Sequence, residues 1–330
     1  FVWLAASFAL VGIGFNIKML EAFLVLPAFV VTYLFVSRIS FWRRLLQLSL
    51  ASVILAVVSF SWVFTVWLTP ANRRPYVGST RNNDIFSLIF GYNGLNRLLP
   101  RGWSIFGLTN GSPASRTVAR GGIGGGRLTE TGAQGLFRLF DRQLAGQVSW
   151  LIPIALIGLV VAWGQPRLQR LTDEQALLVM FGAWGAVEIS FFSLAGFFHR
   201  YYLSTLSPEI AALTGIGVVS LWRHFRSPGW RPWTLPVSFA FVAFTQWRLL
   251  QPYVDWQRRL EPLLLITGAG ALGLTLVRLA LPSGRTPPSE RTGFGISLAA
   301  AACLPAPLAA PGGWSYTTLA NGYFGALPAA

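Results

Sequence analysis

The residues best suited to chemistry lie between Arg73 and Arg97. Arginines alternate there with aromatic, amide and acidic side chains: Arg73, Arg74, Tyr76, Arg81, Asn82, Asn83, Asp84, Tyr92, Asn93 and Arg97. A guanidinium presents a planar fork of donors that matches phosphate oxygens, and Asn and Tyr pair with sugar hydroxyls. The pattern reads in two ways: a site for a phosphorylated sugar, or a solvated loop lying against lipid headgroups. A second cluster, Phe198-His199-Arg200-Tyr201-Tyr202, follows an apolar run. His and Arg followed by two tyrosines suit a lipid phosphate at a membrane surface. An aromatic belt with an anchoring arginine is the plainer account. Glu188 stands inside an apolar run, where a carboxylate marks either function or a partner helix. Glu209 follows Pro208 in a helix first turn, and the helix dipole suffices to explain it.

The elements that position these residues are apolar. The chain has 330 residues, 53% of them hydrophobic and only 11% charged. Soluble domains carry about 25% charged residues, so an integral membrane protein is expected. The net charge of +15 does not indicate nucleic acid, because the arginines sit between apolar spans and not on one soluble face. Anionic headgroups and phosphorylated lipids are the fitting partners. Lys18 is the one lysine, Cys303 the one cysteine, and His199 and His224 are far apart. No disulfide framework or metal-ligand spacing follows, and no metal site is expected.

Apolar runs predict an all-α polytopic bundle of about nine spans, ending with Phe294 to Pro311. Residues 1–69 and 148–311 read as transmembrane helices, 70–147 as one Arg/Gly-rich extracytoplasmic loop, and 312–330 as an extracytoplasmic tail. The first two runs, Phe1 to Phe15 and Ala22 to Val36, are each short of the ~20 residues a span needs. Two short helices with a turn at one surface fit better than a kinked pair, since Lys18 and Glu21 are costly in mid-bilayer. The loop from Pro70 to Gln147 holds ten arginines against Asp84, Glu130 and Asp141, and includes the glycine run 121–126. The short loops give the orientation. Arg38, Arg43, Arg44, Arg167, Arg170, Arg223, Arg226, Arg231, Arg285 and Arg291 fall on one side, against Lys18, Arg200, Arg258 and Arg259 on the other. The richer side is expected to be cytoplasmic, which puts the large loop outside. Phe1 begins within an apolar run without Met or a basic leader, so a fragment of a longer protein is expected.

Several stretches resemble the bacterial glycosyltransferase family 39, the mannosyltransferase-like membrane enzymes with the GT-C fold. They are Gly14-Phe-Asn-Ile-Lys18-Met-Leu, Arg74-Pro-Tyr-Val-Gly-Ser-Thr, Phe90-Gly-Tyr-Asn-Gly-Leu, Arg138-Leu-Phe with Gly146-Gln-Val-Ser-Trp-Leu-Ile-Pro153, and Phe198-His-Arg-Tyr-Tyr. The resemblance reaches to about Trp222, and its Arg-Pro-Tyr and Tyr-Asn-Gly-Leu pieces are the more specific ones. It implies a multi-pass enzyme of the bacterial plasma membrane. Such an enzyme takes a sugar from a polyprenyl-phosphate donor and passes it, with inversion at the anomeric carbon, to an acceptor that the sequence does not identify. It implies a catalytic carboxylate in an early outer loop, expected upstream of Phe1, with Asp84 as a stand-in candidate. Arg74, His199, Arg200 and Lys18 are the candidate holders of the donor phosphate, where a cation shielded from bulk water stabilises the leaving group. Tyr76, Asn93, Tyr201 and Tyr202 are candidates for orienting sugar or phosphate. Arg200 departs from the His-Pro-Tyr-Tyr that relatives tend to carry. No cofactor is specified, and participation of a divalent cation is left open. A transporter or flippase of lipid-linked sugars would use the same basic loop without a catalytic acid, and a non-catalytic scaffold is the third reading.

Overall fold

The computed structural model describes residues 1–78, 80, 83–94, 131–164, 171–196, 198–280 and 305–320. Among the described residues all regular structure is helical. Among the described residues five continuous helical stretches are long and apolar enough in total to cross a membrane: Val2–Val36, which is made of more than one helix, Phe41–Leu68, Asp173–Leu194, Arg200–Phe225 and Val254–Val277. The chain divides into two compact units, one of residues 1–136 and 168–198 and the other of 137–167 and 199–330.

In the first unit, α1 (Val2–Lys18) ends where Met19 takes φ 53°. A 3-10 segment, Met19–Val25, then leads into α2 (Leu26–Val36). The first 36 residues are therefore two helices with a sharp reversal beside Lys18, as the short runs predict. Helix α3 (Phe41–Leu68) runs in the same direction as α1. Phe8 and Val11 pack with Leu48, Ala51 and Leu55, whereas Phe15 packs with Val63 and Val66. At the crossing, the Gly12 position leaves no room for a side chain, since an added Cβ would lie 2.9 Å from Cβ of Val58. Asn16 Nδ2 donates to the carbonyls of Gly12 at 3.1 Å and Val58 at 2.9 Å, tying the two helices together. Helix α2 packs on the long helix Asp173–Leu194. The latter begins with a capping box in which Thr172 accepts from the Gln175 amide and Gln175 returns the bond. Two orphan N–H groups are thereby satisfied.

The second unit opens with a 3-10 turn (Arg138–Phe140) and the short α4 (Ala145–Val148), followed by α5 (Ile152–Trp163). With Asp173–Leu194 counted as α6 in chain order, a 3-10 segment Arg200–Leu206 leads into α7 (Ser207–Phe225). Then come α8 (Thr234–Leu250), α9 (Val254–Ala280) and α10 (Pro305–Ala320). Helices α5 and α7 meet backbone to backbone, because a Cβ at Gly158 would lie 2.6 Å from Cα of Gly217. Small residues allow this close approach in bilayers, where packing rather than water drives helix association.

Three boundaries differ from the sequence reading. The stretch around Arg258 and Arg259, expected as a short loop, is helical from Val254 onward with Pro262 inside α9. The tail expected from residue 312 begins as helix, since α10 continues through Pro311 to Ala320. Trp314, seated against Trp150, Tyr253 and Trp256, holds that turn in place. The expected loop 70–147 is shared out: its described parts up to Leu136 belong to the first unit and Phe137 onward to the second. The run 121–126, Arg81, Asn82, Arg97, Arg167, Arg170 and the first part of the last expected span lie outside the described residues.

Candidate functional site

Lys18 and the polar segment 70–94 lie at the same end of the first unit. Val77, Ile85 and Ile89 are buried against Phe15, Val63 and Val66, with Met19 and Leu20 packed alongside. The segment is thus mounted on the helix ends by its own apolar residues. Lys18, in the last turn of α1, sits one residue before the reversal on that same end.

Within the segment, Arg74 is turned inward. Its Nη2 donates to the carbonyls of Trp67 at 2.7 Å and Thr69 at 2.9 Å, its Nε to Thr69 at 3.1 Å, and its Nη1 to Asn83 at 3.2 Å. Four of the five guanidinium N–H groups are engaged in closing the end of α3 and fastening the loop. Arg44 does the same for α2, donating to the carbonyls of Leu34 and Ile39. Two arginines that the sequence offers as phosphate ligands or orientation charges therefore act as helix C-caps.

Asp84 is a helix N-cap. Its carboxylate accepts from the amides of Phe86 at 3.3 Å and Ser87 at 2.9 Å and from Ser87 Oγ at 2.8 Å. These bonds start the helical turns that continue as a π-turn over Ser87–Tyr92. Asn83 adopts φ 55° and accepts from the Val77 amide at 2.5 Å, drawing the loop shut. Asn93 ends the π-turn, its amide donating to the Leu88 carbonyl at 2.9 Å. Tyr76 is 76% exposed, and its hydroxyl reaches only the Thr80 carbonyl at 3.5 Å. Of the candidates in the segment 70–94, Tyr76 is the side chain most open to a ligand.

Glu188 lies in α6 at 3% exposure and accepts from Trp184 Nε1 at 2.8 Å. The indole one turn earlier shields the carboxylate on its own helix.

The second unit holds the other candidates. His199 stacks on Tyr201 with centroids 5.8 Å apart and planes 5° apart, and meets Tyr202 edge-on at 5.6 Å. Tyr201 and Tyr202 make a T-shaped pair at 4.7 Å. Tyr202 is 4% exposed, whereas His199, Arg200 and Tyr201 are half-buried. The imidazole is thus held by two rings and presented at the start of the 3-10 segment Arg200–Leu206. That segment packs on α4 and leads directly into α7.

Two buried charges belong to the same neighbourhood of elements. Glu209, in the first turn of α7, is fully buried, and Arg138, in the turn that packs on α4, is 2% exposed. Desolvation pushes the Arg138 guanidinium below its ordinary pKa, while the Asp141 carboxylate raises it. Arg138 is absent from the sequence candidates because it sits in an arginine-rich stretch that reads as solvated. The signal was its apolar partner, Leu139, which is also buried. Glu209 was given a dipole role, and its complete burial adds a cost that the dipole alone does not explain. Among the described residues no group of His, Cys, Asp or Glu is arranged to hold a metal ion.

Known proteins bear on this arrangement. The chain is 33% identical to "Putative mannosyltransferase YycA" of Bacillus subtilis, in an alignment covering 99% of this chain and 56% of that protein. It is 31% identical to "Putative mannosyltransferase YkcB" of the same organism, covering 99% of this chain and 54% of the relative. The chain is similar to these two proteins over nearly all of its own length. It spans about half the length of each. No family model matches the chain, and no solved structure does. At 99% coverage the alignments take in the polar segments as well as the helices. They agree with the glycosyltransferase resemblance carried by the Arg-Pro-Tyr, Tyr-Asn-Gly-Leu and His-Arg-Tyr-Tyr pieces.

Proposed function

We propose that the chain is part of a membrane glycosyltransferase that moves a sugar from a polyprenyl-phosphate donor to an acceptor on the extracytoplasmic side of a bacterial plasma membrane. The observation that carries this reading is the near-complete alignment of the chain to two proteins named for mannosyl transfer. The five apolar helices supply the bilayer setting. In this reading the shorter apolar helices α5 and α8 also sit within the membrane, as the nine-span count requires.

The donor's leaving group is an anionic phosphate that stays attached to lipid. Cations at the membrane surface stabilise it most, because little bulk water competes there. Lys18, Arg200 and His199 take that role in the proposal, each within its own unit. Arg74 serves mainly to hold the loop, since its donors already serve backbone carbonyls. Tyr76, Asn93, Tyr201 and Tyr202 orient sugar or phosphate. Asp84 supports the loop by capping rather than removing the acceptor's proton.

The test is transfer of radiolabelled mannose from polyprenyl-phosphate mannose in membranes that contain the protein. Release of polyprenyl phosphate with label in a polymeric or lipid acceptor is expected. Labelled donor that crosses the bilayer intact, with no transfer from any polyprenyl-phosphate sugar, would replace the enzyme by the transporter reading.

A further inference from the structure

We infer that the corner between α2 and α3, residues 37–44, is a binding site for the headgroup of an anionic phospholipid. It lies at the opposite end of α2 from the reversal beside Lys18. Three arginines meet at this corner, and they divide by role. Arg44 donates to the carbonyls of Leu34 and Ile39, and the Tyr33 hydroxyl donates to the side-chain oxygen of Gln47. The Ser37 amide adds a bond to the Tyr33 carbonyl at 3.2 Å. Together these contacts fix how α2 turns into α3. Arg38 and Arg43 are exposed, and neither bonds a neighbour among the described residues. Two free guanidinium groups are thus carried on a frame that the third arginine holds shut.

The surroundings select the occupant. Trp42, Leu46, Leu50, Val53 and Val57 are all exposed on α3, at the three- and four-residue spacing of one helix face. In a bilayer that stripe faces acyl chains. Trp42, 77% exposed and met edge-on by Phe41 at 5.7 Å, stands at its headgroup end, where indole rings settle. Arg43 lies one turn before Leu46 and flanks the stripe. An apolar stripe that ends in an indole and free cations fits a lipid whose head is an anion. The packed elements supply little competing charge. Helix α2 packs on α3 and α6, and α3 on α1. Helices α1, α2 and α3 contain no acid. Helix α6 brings Asp173 and Glu174 in its first turn, where both complement the helix dipole, and neither forms an ion pair with Arg38 or Arg43. Its third acid, Glu188, lies deep in the helix and accepts from Trp184.

The experiment is native mass spectrometry of the full chain released from nanodiscs of phosphatidylglycerol mixed with phosphatidylcholine. Preferential retention of phosphatidylglycerol is expected. Arg38→Gln and Arg43→Gln should each reduce it about fivefold, as expected for loss of one cation beside anionic lipid. Arg258 is the control: it is equally exposed, but Asp255 and Glu261 lie one turn to either side of it in α9. Arg258→Gln should leave retention unchanged. Arg43→Lys separates charge from folding, because it keeps the cation and should keep most of the retention. Equal retention of the two lipids, or as large a loss from Arg258→Gln as from the corner variants, would overturn the proposal. So would an Arg43→Lys variant that loses as much as Arg43→Gln. Displacement of the lipid by millimolar inorganic phosphate would overturn it too, since the corner would then be a site for a free anion.

Discussion

The Arg74 guanidinium donates to the Trp67 carbonyl at 2.7 Å, closing the last turn of α3 with a side chain from the following loop. A charged donor on a helix C-terminus complements the dipole as well as an orphan carbonyl. Arg74→Ala is expected to lower stability by about 1.5–3 kcal/mol, the range for hydrogen bonds to a charged group. Arg74→Lys should recover only part of it, because one ammonium cannot span Trp67, Thr69 and Asn83 together. Thermal unfolding in detergent checks both. A change in donor KM at unaltered Tm would return Arg74 to the phosphate site.

Asp84 offers a sharper separation. As a cap, Asp84→Asn should be nearly neutral and Asp84→Ala should cost about 1 kcal/mol. Sugar transfer by the Asn variant should stay within a few fold of the parent. A general base would instead lose roughly 10²–10⁴ in rate when made an amide. The ratio of initial transfer rates, taken at saturating donor, decides between them.

His199 is packed between Tyr201 and Tyr202, so its removal has a structural and a chemical component. His199→Phe preserves the ring contacts and is expected to unfold at the parent temperature while transfer falls at least tenfold. Equal transfer by the Phe variant would leave His199 as a packing residue only.

Gly146 and Trp314 are bound by space. A Cβ on Gly146 would lie 2.6 Å from Cζ2 of Trp314. Gly146→Ala is therefore expected to cost about 1–3 kcal/mol through overpacking. The same change in a Trp314→Ala background should cost far less, and that coupling is read from a double-mutant cycle of unfolding midpoints. Additive effects would mean that α10 accommodates the methyl by moving.

The α5–α7 crossing follows the same logic without an aromatic ring. Gly217→Ala would place its Cβ 2.5 Å from Cα of Gly158. Backbone cannot swing aside as a side chain can, so a loss of at least 2 kcal/mol is expected, seen as earlier unfolding in detergent.

The bundle character, the broken first pair of helices and the aromatic junction at 198–202 were legible in the sequence. Hydrophobic run length and the cost of Lys18 and Glu21 in lipid determine them. The assignment of individual arginines was not legible. Charge and spacing say that Arg44 and Arg74 can donate to a phosphate, but not that helix carbonyls lie nearer. Asp84 shows the same limit, since only the fold reveals that Phe86 and Ser87 turn their amides toward it. The start of α6 has a mark in the sequence, because Thr172 and Gln175 carry a capping box in plain spacing. The positive φ of Met19 has no such mark, and it follows from the need to reverse direction within one residue.

That reversal acts as a ruler. From Met19 the chain returns through seven residues of 3-10 helix and eleven of α2. At ~2.0 Å and ~1.5 Å per residue these reach about 30 Å, the thickness of a hydrocarbon layer, with no slack left over. Rewinding the 3-10 portion as ordinary α-helix would shorten the return by about 3–4 Å. The narrower, more drawn-out coil thus gives the return stretch a length that the same number of residues would not reach as α-helix alone.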